Sequence, residues 1–314
     1  MSSAANQGAG NTPDIVRSNV ETYLIIAMFW GFHLLPLGAI FTGVTKGALL
    51  CCAILYFVRM FGITGGYHRY FSHKSYSMGR VMQFLMAWLA ETSMQRGVLW
   101  WASHHRDHHA YSDQKGDPHS PILNTFWHAH VLWLWSEAAD HPGARVRDLE
   151  RFPELVWLDR NWLVPPLTLA ASVFFFFAWY GGSWTAGLSG LLIGFLLSTV
   201  LTWHGTFLVN SVAHLWGARP YETKDRSRNN VLIALVTLGE GWHNNHHHYM
   251  NSVRQGFRWW QIDITYYMLR VMSWFGLVRD LKLPPSEVVF GQTKAAIAAR
   301  EALEASEAAV EAAE

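Results

Sequence analysis

The sequence predicts an all-α integral membrane protein, with four transmembrane helices and a cytoplasmic helical cap that carries a histidine-ligated metal centre. Three observations predict it. Four apolar stretches each approach the roughly 20 residues needed to cross a bilayer. The 17 tryptophans among 314 residues, with a positive mean hydropathy, suit aromatic belts at the two membrane surfaces. Most of the 17 histidines fall into tight clusters beyond the apolar stretches, and neutral imidazole is the commonest metal-ligating side chain.

The predicted spans are Tyr23–Gly43, Gly47–Gly66, Leu163–Tyr180 and Ala186–Val209. A fifth apolar stretch, Val81–Trp101, carries Glu91, Gln95 and Arg96 and reads as one interfacial or protein-buried helix. The loop between the first two spans holds only Lys46, and the loop Gly181–Thr185 holds no basic residue. Arg69, Lys74, Arg80, Arg145, Arg147, Arg151 and Arg160 lie between the second and third spans. Arg219, Lys224, Arg226 and Arg228 follow the fourth. Positive-inside bias therefore puts the histidine-bearing cap and both termini on the cytoplasmic side, with all histidine clusters facing one compartment. Three regions follow: a polar tail over 1–22, a core over 23–285, and an Ala/Glu-rich tail over 286–314 that reads as a solvated helix or partly disordered segment.

Composition excludes several classes. A net charge of +1 gives no general attraction for nucleic acid. Cys51 and Cys52 are the only cysteines; adjacent and inside an apolar run, they offer neither a disulfide framework nor a CxxC site. The polar Met1–Asp14 segment has no short apolar core and cleavage site after it, unlike a signal peptide.

The clusters are His68–His73, His104–His109 and His243–His248. His105, His108 and His109 stand at i, i+3 and i+4, as do His243, His246 and His247. On a helix each triplet shares a face and can aim three imidazoles at one volume. His68 and His73 lie five apart, about 140° around a regular helix, so they converge only if the backbone changes direction between them. A helix end near Gly65-Gly66 and Ser72 would do this. Asn210 and His214 form an i, i+4 pair at the end of the fourth span.

These segments, with Gly62–His68 and the run Gly239-Glu240-Gly241-Trp242-His243, resemble the membrane fatty-acyl desaturases, most closely the stearoyl-CoA, Δ9-type group. The resemblance runs from about the first span to Asp280. It implies two irons (Fe2+/Fe3+) with O2 as co-substrate, held by His68, His73, His105, His108, His109, His214, His243, His246 and His247, with Asn210 reaching one metal through water. No catalytic residue beyond these ligands is implied. It also implies that Gln95, Trp101 and Thr206 pinch an acyl tunnel, with Tyr56 and Met60 near its closed end. His104, His248, His33, His119, His128, His130, His141 and His204 are expected to be structural. Asp107, Asp113, Asp117, Glu91 and Glu240 are candidates to orient ligands.

The activity implied is O2-dependent insertion of a cis double bond, at Δ9, into a long-chain acyl thioester or acyl lipid. Acyl-CoA members carry Arg-Asp before the second box, where this chain has Ser103-His104, so CoA, acyl carrier protein and lipid all stay open as carriers. A membrane di-iron fatty-acyl or alkane hydroxylase is the nearest alternative. A non-catalytic metal or haem protein is remoter, since haem needs only one or two axial histidines. His141-Pro142-Gly143 is similar to a cytochrome b5 haem motif but ends in Ala144, so electrons are expected from a separate ferredoxin, rubredoxin or cytochrome-type donor with its reductase. Arg59, inside the second span, is costly there, and the sequence names no partner for it.

Overall fold

The computed structural model describes residues 19–136, 139–140, 143–291 and 293–311; His141 and the 1–18 tail lie outside them. The protein is mostly helical, with one two-stranded antiparallel ribbon, β1 (Ser77–Met78) and β2 (Val278–Arg279). Among the described residues, three helices are long and apolar enough to cross a membrane: α1 (Val20–Thr42), α2 (Lys46–Ser72) and α8 (Trp184–Leu215). The third expected span is a bent pair, α6 (Pro153–Arg160) and α7 (Val164–Tyr180), meeting at 67°. Pro165 and Pro166 fall in the first turn of α7, where their missing N–H groups cost nothing.

Between α2 and α6 run α3 (Arg80–Glu91), α4 (Val98–Tyr111) and the short α5 (Phe126–His130). The fifth apolar stretch is therefore two helices and not one. The chain breaks at 92–97, where Met94 and Arg96 take positive φ (58° and 70°), a backbone state non-glycine residues seldom adopt. Beyond α8 come α9 (Val231–Val236), α10 (His243–His248), α11 (Ile264–Trp274) and α12 (Lys294–Glu311); α12 realises the helical form of the tail.

The core beside the first two histidine clusters is built from α2, α3, α4 and α6, around Met60, Tyr67, Phe71, Met86, Leu155 and Leu158. Arg59 has partners after all. It lies fully buried between α2 and α8, bonded to Ser198 and Thr199.

Candidate metal centre

Each cluster reaches the centre by a different local device. In α2 the last eleven residues, Gly62–Ser72, wind more widely, with i→i+5 bonds, and His73 N–H donates to the His68 carbonyl at 3.2 Å. Such wide turns are frequent at functional sites. The helix ends at Ser72, as expected, with His73 just past it, and the wide winding before that end brings residues five apart to one side. The α10 helix is only six residues long, so it needs external anchors. Asn229 Oδ1 accepts from Asn244 N–H at 2.9 Å and Asn245 N–H at 3.1 Å. Asn244 Oδ1 accepts from Tyr221 N–H, and Asn245 donates to Gln255 O and Gln261 Oε1. The two asparagines of the HNNHH run therefore hold the helix while its histidines are aimed. Gly241 is required before it, because a Cβ there would come within 2.1 Å of Ala234 N and 2.3 Å of Asn230 O.

Nine imidazoles converge in two groups: His68, His73, His105, His109 and His246 in one, His108, His214, His243 and His247 in the other. Within each, the ring nitrogens lie within 4.8 Å of one another. Neither helical triplet serves a single volume. From α4, His105 and His109 enter the five-histidine group and His108 the other. From α10, His243 and His247 enter the four-histidine group and His246 crosses back. The i, i+4 pairs stay together and the i+3 residue, turned to one side, serves the neighbouring group.

The closest nitrogens are His73 and His105 Nε2 at 2.8 Å, His68 and His246 at 2.9 Å, and His246 and His109 at 3.0 Å. In the second group His214 and His243 Nε2 lie 3.0 Å apart. Metal–imidazole bonds of about 2.0–2.1 Å place nitrogens about 2.9 Å apart at right angles but about 3.3 Å apart at tetrahedral angles. Five imidazoles in one group exceed the four ligands of a closed tetrahedral zinc shell.

Four carboxylates fix ring orientation. Glu240 Oε2 lies 2.5 Å from His68 Nδ1, Asp117 Oδ1 3.0 Å from His108 Nδ1, Asp113 Oδ2 2.9 Å from His214 Nδ1, and Asp225 Oδ2 2.8 Å from His247 Nδ1. Each accepts the Nδ1 proton and leaves an Nε2 lone pair facing inward. Three of these were candidates from sequence; Asp225 was not, and Glu91 instead accepts from Val98 N–H at 3.0 Å. Glu240 is itself held by Arg69 at 3.0 Å and by Gln255 at 2.9 Å. Arg69 also pairs with Asp263 at 2.9 Å.

Electrostatics keep most of the ligands neutral. Burial, then repulsion from neighbouring imidazoles, drives His73, His105, His109, His243 and His246 well below the usual histidine pKa; burial also lowers His247, to about 4, against the pull of Asp225. These rings are therefore neutral at pH 7, the form that binds metal. Burial alone would raise Asp113, Asp117 and Asp225, but their histidine partners overcome it and lower all three. Glu240 is likewise lowered, burial being outweighed by His68 and Arg69.

A cleft reaches His105 between α1, the 92–97 turn and α8. Gln95, Trp101, Thr206 and Asn210 line it, with Met28 and Phe29 on the α1 side. Gln95 Nε2 donates to Thr206 Oγ1 at 2.9 Å and Trp101 stacks on His105 at 4.9 Å. Tyr56 and Met60 are not among the lining residues; they pack where a Cβ on Gly205 would stand, and Tyr56 donates to Val236 O at 2.6 Å. His104 lies in the cleft wall, its Nδ1 donating to Trp100 O. His119, expected to be structural, clusters with His108 and Asp117 in a third group of ligand-type side chains. His33, His204 and His130 form a separate chain of ring contacts at 2.9 and 3.0 Å.

Residues 46–277 match the family model described as fatty acid desaturase. A Δ9 acyl-lipid desaturase of Arabidopsis thaliana is 39% identical over 76% of this chain and 77% of its own. An acyl-CoA C20 Δ5-desaturase of Anemone leveillei is 36% identical, covering 82% and 81%. A hex-5-enoyl-[acyl-carrier protein] acetylenase of Moorena producens is 33% identical, covering 86% and 84%. The chain belongs to the fatty acid desaturase family and is a membrane-embedded oxidoreductase that desaturates fatty-acyl chains.

Proposed function

We propose that the protein is a di-iron desaturase that places a cis double bond at Δ9 of a long-chain acyl group. The reaction converts –CH2–CH2– and O2, with two electrons and two protons, into –CH=CH– and two molecules of water. Bound iron would supply the oxidising power that no side-chain base has toward an unactivated methylene.

The observation that carries the reading is the paired five- and four-histidine arrangement with its charge. Glu240, Asp113, Asp117 and Asp225 bond the histidines and Asp263 bonds Arg69. These five carboxylates stand against one guanidinium, so the groups that hold the histidines are net negative, which favours bound cations. The nine histidines are the proposed ligands, and Asn210, one helical turn before His214, is the proposed water-mediated contact. Gln95, Trp101 and Thr206 shape the cleft beside His105 and orient the acyl chain. The mostly apolar wall excludes water from the reacting carbons. Met60 and Tyr56 are assigned to the far end of the chain's path.

We assign the catalytic unit to 23–285, with four spans when the bent α6–α7 pair crosses as one, and the cap and both termini cytoplasmic. Electrons come from a separate ferredoxin, rubredoxin or cytochrome-type protein and its reductase. The relatives act, by name, on CoA, carrier-protein and lipid substrates. Ser103 and His104 are both buried here, which favours a carrier other than CoA. Expression in a host lacking monounsaturated fatty acids, with mass-spectrometric assignment of double bonds, tests the reading. A cis Δ9 product supports it; hydroxy acids alone, or no product with iron and reductant supplied, reject it.

A further inference from the structure

We propose that Arg59 is a positioning residue that sets where along the acyl chain the double bond falls, by holding the 92–97 turn against α2 and α8. The inference rests on the acyl-desaturation reading above. Arg59 is completely buried within a membrane-spanning helix, where a cation is expensive and usually functional.

Its hydrogen bonds show what it is for. The Nε–H donates to Leu55 O at 3.2 Å. One terminal nitrogen donates to Thr199 Oγ1 at 2.6 Å and Thr92 O at 3.4 Å, and the other to Ser198 Oγ and to Phe195 O at 3.4 Å. The guanidinium has five N–H donors, and these five oxygens match them. All are neutral, so the charge gains no ion pair from them. What it gains is reach: a rigid fork joins α2, α8 and the first residue of the turn, which no shorter or uncharged side chain spans.

The turn needs such a strut. Met94 and Arg96 both sit in the left-handed region, a state that persists only where surrounding structure imposes it, and such strain clusters at functional sites. Trp203 Nε1–H, donating to Ser93 O at 2.9 Å, is a second strut from α8. What the turn presents is Gln95, which bridges Thr206 and accepts from Trp101 Nε1–H at 3.4 Å. Trp101 in turn stacks on His105. Arg59 is therefore linked, through one short strained segment, to the residues that narrow the cleft beside the metal centre. Neighbouring chain carbons are only about 1.5 Å apart, so a small displacement of Gln95 changes which methylene faces the histidines.

The test compares wild type with Arg59→Gln and Thr199→Val in the host lacking monounsaturated fatty acids. Double-bond positions are read by mass spectrometry, and iron per chain is measured on the purified full-length proteins. Thr199→Val is isosteric, removes one acceptor and leaves the cleft lining unchanged. It keeps the test decisive where Arg59→Gln does not accumulate. We expect a second positional isomer to rise from trace to at least a tenth of product in Arg59→Gln, and a smaller rise in Thr199→Val, with iron content near wild type. A purely structural role would lower the yield without moving the bond. An unchanged isomer ratio in whichever variants accumulate overturns the proposal. A wild type that makes no double bond removes the underlying reading instead, and the two failures are distinguishable.

Discussion

The two histidine groups differ most in what stands behind them. The five-histidine group has one carboxylate, Glu240, and Arg69 already offsets its charge. The four-histidine group has three, Asp113, Asp117 and Asp225, each on a different ligand. One group thus relies on the number of neutral donors, the other on negative charge one bond removed. The i, i+4 pairs of α4 and α10 are dealt to opposite groups and their i+3 members cross over, so neither group can be built or lost alone.

The strongest way to break this picture is to remove a crossing ligand. His246→Ala takes one donor from the five-histidine group and loosens α10, which supplies the other. We expect desaturation to be abolished and bound iron to fall below two per chain; full activity in this variant or in His105→Ala would overturn the ligand assignment. The carboxylates come next. Loss of such an outer partner typically lowers metal affinity about 10–100-fold. Glu240→Gln, which removes the carboxylate behind His68 and leaves Arg69 half-paired, belongs at the upper end. Asp225→Asn, with two acids remaining nearby, belongs at the lower end. Competition against a chelator of known affinity measures both, and equal losses would erase the distinction.

Acid separates the contributions more gently. His73, His105, His109, His243, His246 and His247 titrate below their unfolded value of about 6.5, because burial and neighbouring imidazoles disfavour charge. Below pH 6.5 the unfolded chain binds the additional protons, so this stability is present above that pH and is lost on acidification. Asp113, Asp117 and Asp225 are also lowered. Their contribution is present above about pH 4 and lost as pH falls through their folded values. Metal-free protein should therefore unfold at progressively lower temperature from pH 7 downward, more steeply below about pH 4. A melting temperature that rises on acidification would contradict these assignments.

How far the chain could be read before folding depended on whether a residue's partner lay within one helical turn. The triplets His105–His109 and His243–His247 were legible because an i, i+3, i+4 spacing is a local property. Their division between two groups was not, since it depends on where α2 and α8 pack. His68 and His73 needed a backbone device, and the spacing called for one without revealing that wide winding would supply it. Asp225 was missed because Arg226 beside it reads as ordinary surface charge, while its partner His247 is 22 residues away. Arg59 left a fainter signal: the adjacent hydroxyls Ser198 and Thr199 close the apolar run 190–197, as a buried cation's acceptors would. The fifth apolar stretch misled because hydropathy does not register the positive φ at Met94 and Arg96.

The smallest expected effect lies at His119. Its ring is 4.4 Å from His108, and its Nδ1 stands 3.8 Å from Asp117 Oδ1, so geometry alone admits it to a third donor group. Two facts argue against a ligand role. Asp117 already accepts from His108 Nδ1 and from the backbone N–H groups of Asp113 and His119, which leaves its oxygens turned from any additional cation. His108 Nε2 is the nitrogen directed toward the four-histidine group, so a third ion would have to take the Nδ1 that Asp117 occupies. His119→Ala should therefore keep iron at two per chain and lower activity by no more than a few-fold, through lost packing against Trp133, 5.1 Å away. Loss of one equivalent of iron in this variant would mean that the four-histidine group extends past His108, and the contrast between its charge-rich surroundings and the donor-rich five-histidine group would have to be redrawn.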